Sequence, residues 1–288
     1  MKLLKIVAHK WNNTENRDKR ELSVCRELGM EIVVLAKNEQ EKKAVNKEID
    51  GFNVWEYPTK PFPDNKFFKP LNKFCSLITW TKIARKFQAD IISGHDWIAL
   101  GIGYLSNLGK RKKKKAKLVY DSHEFELGRN TTKKRGKIKL FFIAKIEKFL
   151  MKKCAFSIMV NDSIADAIQK QYKLKNRPIV VRNIPPCWDL DVRSIAETRN
   201  FIQKKFDKER ENFLIMYHGG VMRGRGIENI IKALTFTKDV CLVILGNGEV
   251  DYKNSLCELC VCENVEKRVL FMDAVKIQEL YKYVGAVD

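Results

Sequence analysis

"YHGGVMRGRGIENIIKAL", residues 217–234, sets four glycines and two arginines between an apolar run and a helical pattern. A strand that ends in a glycine-rich turn and re-enters a helix is a unit of a parallel sheet covered by helices. Its turn falls at the carboxyl edge of the sheet, where open α/β folds bind ligands. Glycines let the backbone approach a ligand closely, and amides near a helix N-terminus attract anions. Arg223 and Arg225 add forked, charge-assisted donors that suit phosphate oxygens. The stretch is neither a Walker loop, which needs Gly-Lys-Ser/Thr, nor a G-x-G-x-x-G fingerprint in its usual register. A tight strand-to-helix turn with solvated arginines is the competing reading of the same residues.

Outward from this loop, short apolar runs alternate with helical patterns along most of the chain. Strands are expected at 3–8, 31–36, 53–57, 90–93, 117–120, 156–160 and 179–182, with helices at 17–28, 69–87, 98–108, 136–153 and 163–171. Pro185 and Pro186 interrupt this series. A second one follows, with strands at 213–217, 240–245 and 268–272 and helices at 226–234, 251–262 and 276–284. The expected fold class is therefore α/β, with two Rossmann-like domains at 1–185 and 212–288 joined by a linker and connecting helix over 186–211. The second series carries three strands, where a doubly wound domain normally has about five or six.

The 288 residues suffice for a sizeable core, and 45% hydrophobic residues mark a globular chain despite 31% charged ones. Fifty-five Lys and Arg against 35 Asp and Glu give a formal charge of +20. That charge predicts attraction to polyanions: nucleic acid, an anionic membrane surface or phosphorylated small molecules. A nucleic-acid partner is disfavoured, because no helix-turn-helix, zinc or RNA-binding signature accompanies the charge. The eight cysteines follow no framework spacing and no secretory signal precedes them, so reduced thiols and a cytoplasmic location are expected. No segment reaches the roughly 18 apolar residues of a spanning helix, which leaves peripheral contact at the inner face of the plasma membrane as the membrane option.

Further stretches bear on chemistry. "LGNGEV", 245–250, ends the next expected strand with a second glycine pair, Gly246 and Gly248, so a diphosphate could lie between two neighbouring loops. In the first half, "SGHDWIAL" (93–100) and "YDSHEFE" (120–126) put His95 beside Asp96 and His123 beside Glu124 at consecutive strand ends. These pairs suit hydrogen bonding, general acid–base work or, less readily, metal binding, against the plainer role of helix caps. "CELCVC", 257–262, lacks a second ligand pair at zinc spacing. "GKRKKKKAK", 109–117, reads either as a solvated loop or as a contact for an anionic surface. The aromatic run Trp55, Tyr57, Phe62, Phe67, Phe68, Phe74 and Trp80 fits core packing and an amphipathic acceptor or membrane-facing surface equally well.

Taken in order, eight stretches resemble retaining glycosyltransferases of family 4, which have the GT-B architecture of two Rossmann-like domains. They are "NRDKRELSVCRELGMEIVVLA" (16–36), "DIISGHDWIAL" (90–100), "LVYDSHEFE" (118–126), "AFSIMVNDSIADAI" (155–168), "IVVRNIP" (179–185), the opening stretch, "LVILGNGE" (242–249) and "RVLFMDAVKIQELYKYVGAVD" (268–288). The resemblance implies an acceptor-binding first half and a second half that binds a nucleotide-sugar donor as substrate, with no cofactor and no metal. Donor contacts would come from Gly219, Gly220, Arg223, Arg225, Gly246 and Gly248, with Asp273 and Val275 near the base. His95, His123 and Glu124 would serve the transferred sugar as catalytic residues, and Asp96 and Asn183 would line the acceptor side. The implied acceptor is a glycan or lipid-linked glycan of a bacterial surface polysaccharide; separately, the basic charge allows contact with the anionic inner leaflet where lipid-linked acceptors reside.

Two departures qualify the resemblance. Many members carry arginine directly after the first loop glycine, where this chain has Gly220. Members also continue beyond "AVD" into a glycine-rich loop and a helix with two glutamates seven residues apart that grip the donor. The expectation is thus a C-terminally truncated donor half and a chain weakly active or inactive by itself. The competing class is a non-catalytic or partner-completed GT-B-like binding protein.

Overall fold

The computed structural model describes residues 1–7, 10–11, 17–38, 43–58, 62–63, 65, 67–122, 128, 136–184, 187, 189–206 and 213–288. They divide into two compact units, Met1–Ile184 and Pro185–Asp288.

The strands of the first unit are β1 (Lys2–Ile6), β2 (Glu31–Asn38), β3 (Val45–Ile49), β4 (Phe52–Pro58), β5 (Ile91–Gly94), β6 (Lys117–Asp121), β7 (Phe156–Met159) and β8 (Ile179–Val180). They form one sheet in the order β3-β4-β2-β1-β5-β6-β7-β8. Every neighbouring pair is parallel except β3 and β4. Strand β3 is the element the hydrophobic pattern misses, because its Asn46, Lys47 and Glu48 are exposed. Its signal was Asp50-Gly51. Both residues have positive φ, 54° and 73°, and Ile49 pairs with Phe52 across them. Two consecutive positive φ angles make the tight turn whose twist matches an antiparallel hairpin.

Alternation along the strands sends side chains to two faces. Leu4, Ile6, Ile92, Leu118 and Tyr120 join a core under α2 (Lys69–Lys86), α3 (Trp97–Asn107), α4 (Lys137–Met151) and α5 (Asp162–Tyr172). Leu3, Val7, Val34 and Val54 pack on the other face with Leu22 of α1 (Arg17–Glu27). Lys5 falls on the α1 face inside the apolar run of β1 and has no exposed surface. Its ammonium lies 2.8 Å from Asp121 Oδ2, 2.8 Å from Glu21 Oε2 and 3.0 Å from Asp18 Oδ1.

The second unit holds β9 (Phe213–His218), β10 (Val240–Leu245) and β11 (Val269–Met272), parallel in the order β11-β10-β9. Leu242 and Ile244 face α7 (Ile227–Ala233) and α8 (Val250–Cys262). Cys241 and Val243 pack on the opposite side against Ile202 of α6 (Val192–Gln203) and Tyr283 of α9 (Leu280–Val284). The segment read as linker and connecting helix thus contributes α6 to this core. All eight cysteines are free thiols. Among the described residues, no helix is long and apolar enough to cross a membrane.

Removing one partner from a buried ionic cluster leaves uncompensated charge. Lys5→Met is therefore expected to destabilise the first unit by about 3–5 kcal/mol, measured by urea denaturation. Glu21 behaves differently. Burial raises its pKa, and the repulsion from Asp121 adds to the rise that Lys5 opposes. A raised carboxyl contributes its full stability below the ordinary glutamate value of 4.5 and loses it as pH rises through the folded value. Glu21→Gln should accordingly gain stability relative to the unsubstituted chain as pH rises above 4.5, read from melting curves across pH.

Candidate functional site

In the first unit the carboxyl ends of β1, β5 and β6 meet the start of α1. His95 follows β5 and continues the ladder, its backbone N–H donating to Ile6 O at 3.0 Å. The side chain returns to the α1 face, where Nδ1 lies 3.1 Å from Asp18 Oδ2. Asp18 is itself held by Lys5, which also holds Asp121 at the end of β6. Arg17 Nη2 reaches the other oxygen of Asp121 at 2.5 Å. Its Nη1 is buried and has no hydrogen-bond partner among the described residues.

Lys5 keeps its charge in this setting. Burial alone pulls the ammonium down, and the carboxylates of Asp121, Glu21 and Asp18 more than reverse that, leaving it above the ordinary lysine range. The three acids converge within 4.8 Å of one another. The Lys5 ammonium, within 3.0 Å of each, takes the position among them that a cation would occupy. The arrangement orients an imidazole: a carboxylate accepting from Nδ1–H leaves Nε2 as the acceptor of neutral His95.

In the second unit, three loops after consecutive strands lock together. Gly219 N donates to Leu245 O at 3.0 Å, Val221 N to Asn247 O at 2.9 Å, and Gly246 N to Met272 O at 2.9 Å. Asn247 Oδ1 accepts from Ala274 N at 3.2 Å, tying in the loop after β11. The glycines are what permit this approach. A Cβ on Gly246 would stand 1.8 Å from Gly219 O, and one on Gly248 would stand 2.2 Å from Val221 O. Tyr217 closes the first loop, its hydroxyl donating to Gly220 O at 2.8 Å.

Arg223 lies over the Tyr252 ring of α8, 4.9 Å from its centroid. The Tyr252 hydroxyl donates to Glu228 Oε1 at 2.7 Å. Burial and then this hydrogen bond push the Tyr252 hydroxyl up to about 12. The same bond, with backbone hydrogen bonding and the Arg223 charge behind it, holds Glu228 below the usual glutamate range. Arg223 is therefore supported from one side and exposed on the other. Arg225 is exposed on the same loop.

A chain of this build is open to comparison with known proteins. The model of glycosyltransferase family 4 matches residues 22–191. The chain belongs to this family. An O-antigen chain mannosyltransferase, RfbU of Salmonella typhimurium, is 27% identical over 195 residues, which is 64% of this chain and 49% of that protein. The chain thus spans about half the length of the curated relative it matches.

Solved structures add the fold. Sucrose-phosphate synthase of Thermosynechococcus elongatus superposes with a TM-score of 0.69 at 14% identity, over 99% of this chain and 73% of that one. HepE of Anabaena, solved with UDP and glucose, gives 0.64 at 15% identity, over 100% and 73%. These neighbours are GT-B proteins, in agreement with the α/β, Rossmann-like reading of the sequence.

Within this family 4 chain, the residues expected at the site fall as follows. Gly219, Gly220, Arg223, Arg225, Gly246, Gly248, Asp273 and Val275 all lie on the three loops at the carboxyl edge of the second sheet. Asp273 is exposed and ion-paired with Lys253 at 3.3 Å. Asp96 caps α3, its Oδ1 accepting from Ala99 N at 2.7 Å. Asn183 accepts from Arg20 of α1 at 2.6 Å, apart from the His95 pair. His123 and Glu124 lie outside the described residues. Sequence reading missed Lys5, Arg17, Asp18, Glu21 and Asp121, and in the second unit Asn247 and Tyr252. A lysine in the middle of an apolar strand was the available signal for the first group.

Two expectations follow from this geometry. Gly246→Ala is expected to push the first two loops apart and cost about 1–3 kcal/mol, visible as lower urea stability and as shifted amide resonances from 219–221. Asp18→Asn should release the Nδ1–H preference of His95. Nitrogen NMR of the ring would then report a changed tautomer ratio, and an unchanged ratio would remove Asp18 from its orienting role.

Proposed function

We propose that this chain takes part in moving a sugar from a nucleotide-sugar donor to a glycan or lipid-linked glycan, with retention of configuration, in the synthesis of a bacterial surface polysaccharide. The observation that carries the reading is the set of three glycine-locked loops at one sheet edge with Arg223 and Arg225 exposed beside them. Backbone that approaches without side chains and two guanidinium groups suit a diphosphate. Membership of family 4 and the likeness to an O-antigen mannosyltransferase support the same chemistry.

In the reaction an acceptor oxygen bonds to the anomeric carbon as the bond from that carbon to the diphosphate breaks. Negative charge collects on the departing diphosphate, and an oxygen it frees takes the acceptor proton. Arg223, held by the Tyr252 ring, and Arg225 are assigned to that charge, the place where fixed positive groups lower a barrier most. His95, oriented by Asp18, is assigned to the transferred sugar through Nε2. By resemblance His123 and Glu124 share that task, Asp273 and Val275 border the base, and no metal takes part.

Calorimetric titration of the full chain with UDP and GDP tests the donor side. One of them should bind, and the double substitution Arg223→Ala with Arg225→Ala should weaken binding by roughly tenfold or more. A sugar-transfer assay with the matching nucleotide sugars, read by anomeric NMR of the product, tests the chemistry. Absence of both nucleotide binding and transfer would sink the proposal, and an inverted product would sink its stereochemistry.

A further inference from the structure

The outward side of α4 exposes large apolar side chains between its lysines. Ile143, Leu150 and Met151 face the core, while Ile138, Phe141, Phe142, Ile146 and Phe149 are exposed, Ile138 by 76% and Phe142 by 58%. Positions 138, 142, 146 and 149 with 141 recur at intervals of three and four, so they form one stripe along a helix about 22 Å long.

A second stripe lies on α2, two helices away on the same face of the sheet. There Leu71, Phe74 and Ile78 are exposed, three and four apart, and Phe67 in the turn just before the helix continues the spacing, exposed by 84%. Helix α3 packs between α2 and α4 and carries no charged residue. The aromatic run of the sequence therefore splits: Trp80 enters the core, and Phe67 and Phe74 stay outside it.

The charge on these helices has one sign. Helix α2 has no acidic residue. The single acid of α4, Glu147, points inward, where it accepts from Tyr120 and Tyr172 hydroxyls at 2.6 Å each. Exposed lysines border the α4 stripe, and two lie against its rings, Lys145 over Phe141 at 4.5 Å and Lys153 over Phe149 at 5.5 Å. Aromatic and aliphatic groups outermost, with lysines at their flanks and no exposed carboxylate among the described residues of either helix, match a lipid interface. There the rings enter the acyl boundary and the ammonium groups reach anionic headgroups. A nucleic-acid surface would place the cations foremost instead.

We propose that the outer face of α2 and α4 docks the first unit on an anionic lipid bilayer, with the α4 stripe inserted. This stands on the surface alone and does not depend on the sugar-transfer reading.

The test is flotation of the full chain with vesicles of phosphatidylcholine alone or mixed with phosphatidylglycerol. The chain should float with the mixed vesicles and not with the neutral ones. Phe141→Ser with Phe142→Ser and Phe149→Ser should weaken that binding on the order of tenfold or more. A control that removes charge elsewhere, Lys112→Ser with Lys113→Ser and Lys114→Ser, should stay within about twofold. Circular dichroism confirms that each variant is folded. Failure to float with anionic vesicles overturns the proposal. So does loss of binding in the lysine control equal to that in the phenylalanine variant, which would mean charge alone. Sedimentation showing a dimer that the phenylalanine substitutions dissociate, with no vesicle binding, would assign the face to a second copy and overturn it as well.

Discussion

A single ammonium group without any exposed surface organises the first unit. Lys5 sits in β1, one of the two central strands of the eight, and its three carboxyl partners come from elsewhere: Asp18 and Glu21 from α1, Asp121 from β6. The desolvation of these charges is offset chiefly by Lys5, which faces all three acids within 3.0 Å, and by Arg17, which holds the second oxygen of Asp121. The cluster therefore fixes where α1 begins relative to the sheet. His95 inherits that position through Asp18, so an internal ion network determines the aim of an imidazole at the sheet edge.

The second unit reaches order at its edge by the opposite means. Where the first unit packs charges, the second removes side chains. Gly246 and Gly248 stand where any Cβ would collide with the preceding loop, and the backbone of one loop serves as the hydrogen-bonding partner of the next. The surface that results is lined by main chain and framed by arginines. Tyr252 gives Arg223 a platform and donates its hydroxyl to Glu228.

Much of this was legible beforehand, and the reasons are particular. The parallel strands announced themselves because both faces of the sheet are covered, which makes their sequences continuously apolar. The glycine loops were legible as turns because Gly219, Gly220, Gly246 and Gly248 each follow an apolar run and precede a helical pattern. Strand β3 was not, since an exposed edge strand owes its place to the turn at Asp50-Gly51 and not to burial. The ionic cluster was hidden for a different reason: Lys5 inside an apolar strand was a signal, but its acids lie elsewhere in the sequence, and Asp18 and Asp121 each taken alone read as surface charges. Asp96 was visible as a polar residue at a strand end, yet its observed contact is the cap of α3.

The outer strands of the eight-stranded sheet carry a consequence for the chain in crowded solution. An open sheet exposes unpaired backbone groups along its borders, and these can recruit another polypeptide into a growing ladder. Here one border is β3, whose Asn46, Lys47 and Glu48 would bring charge into any such ladder, and the other is β8, only two residues long. Neither offers a long apolar template. The sheet is thereby guarded against runaway self-association by its two least regular strands.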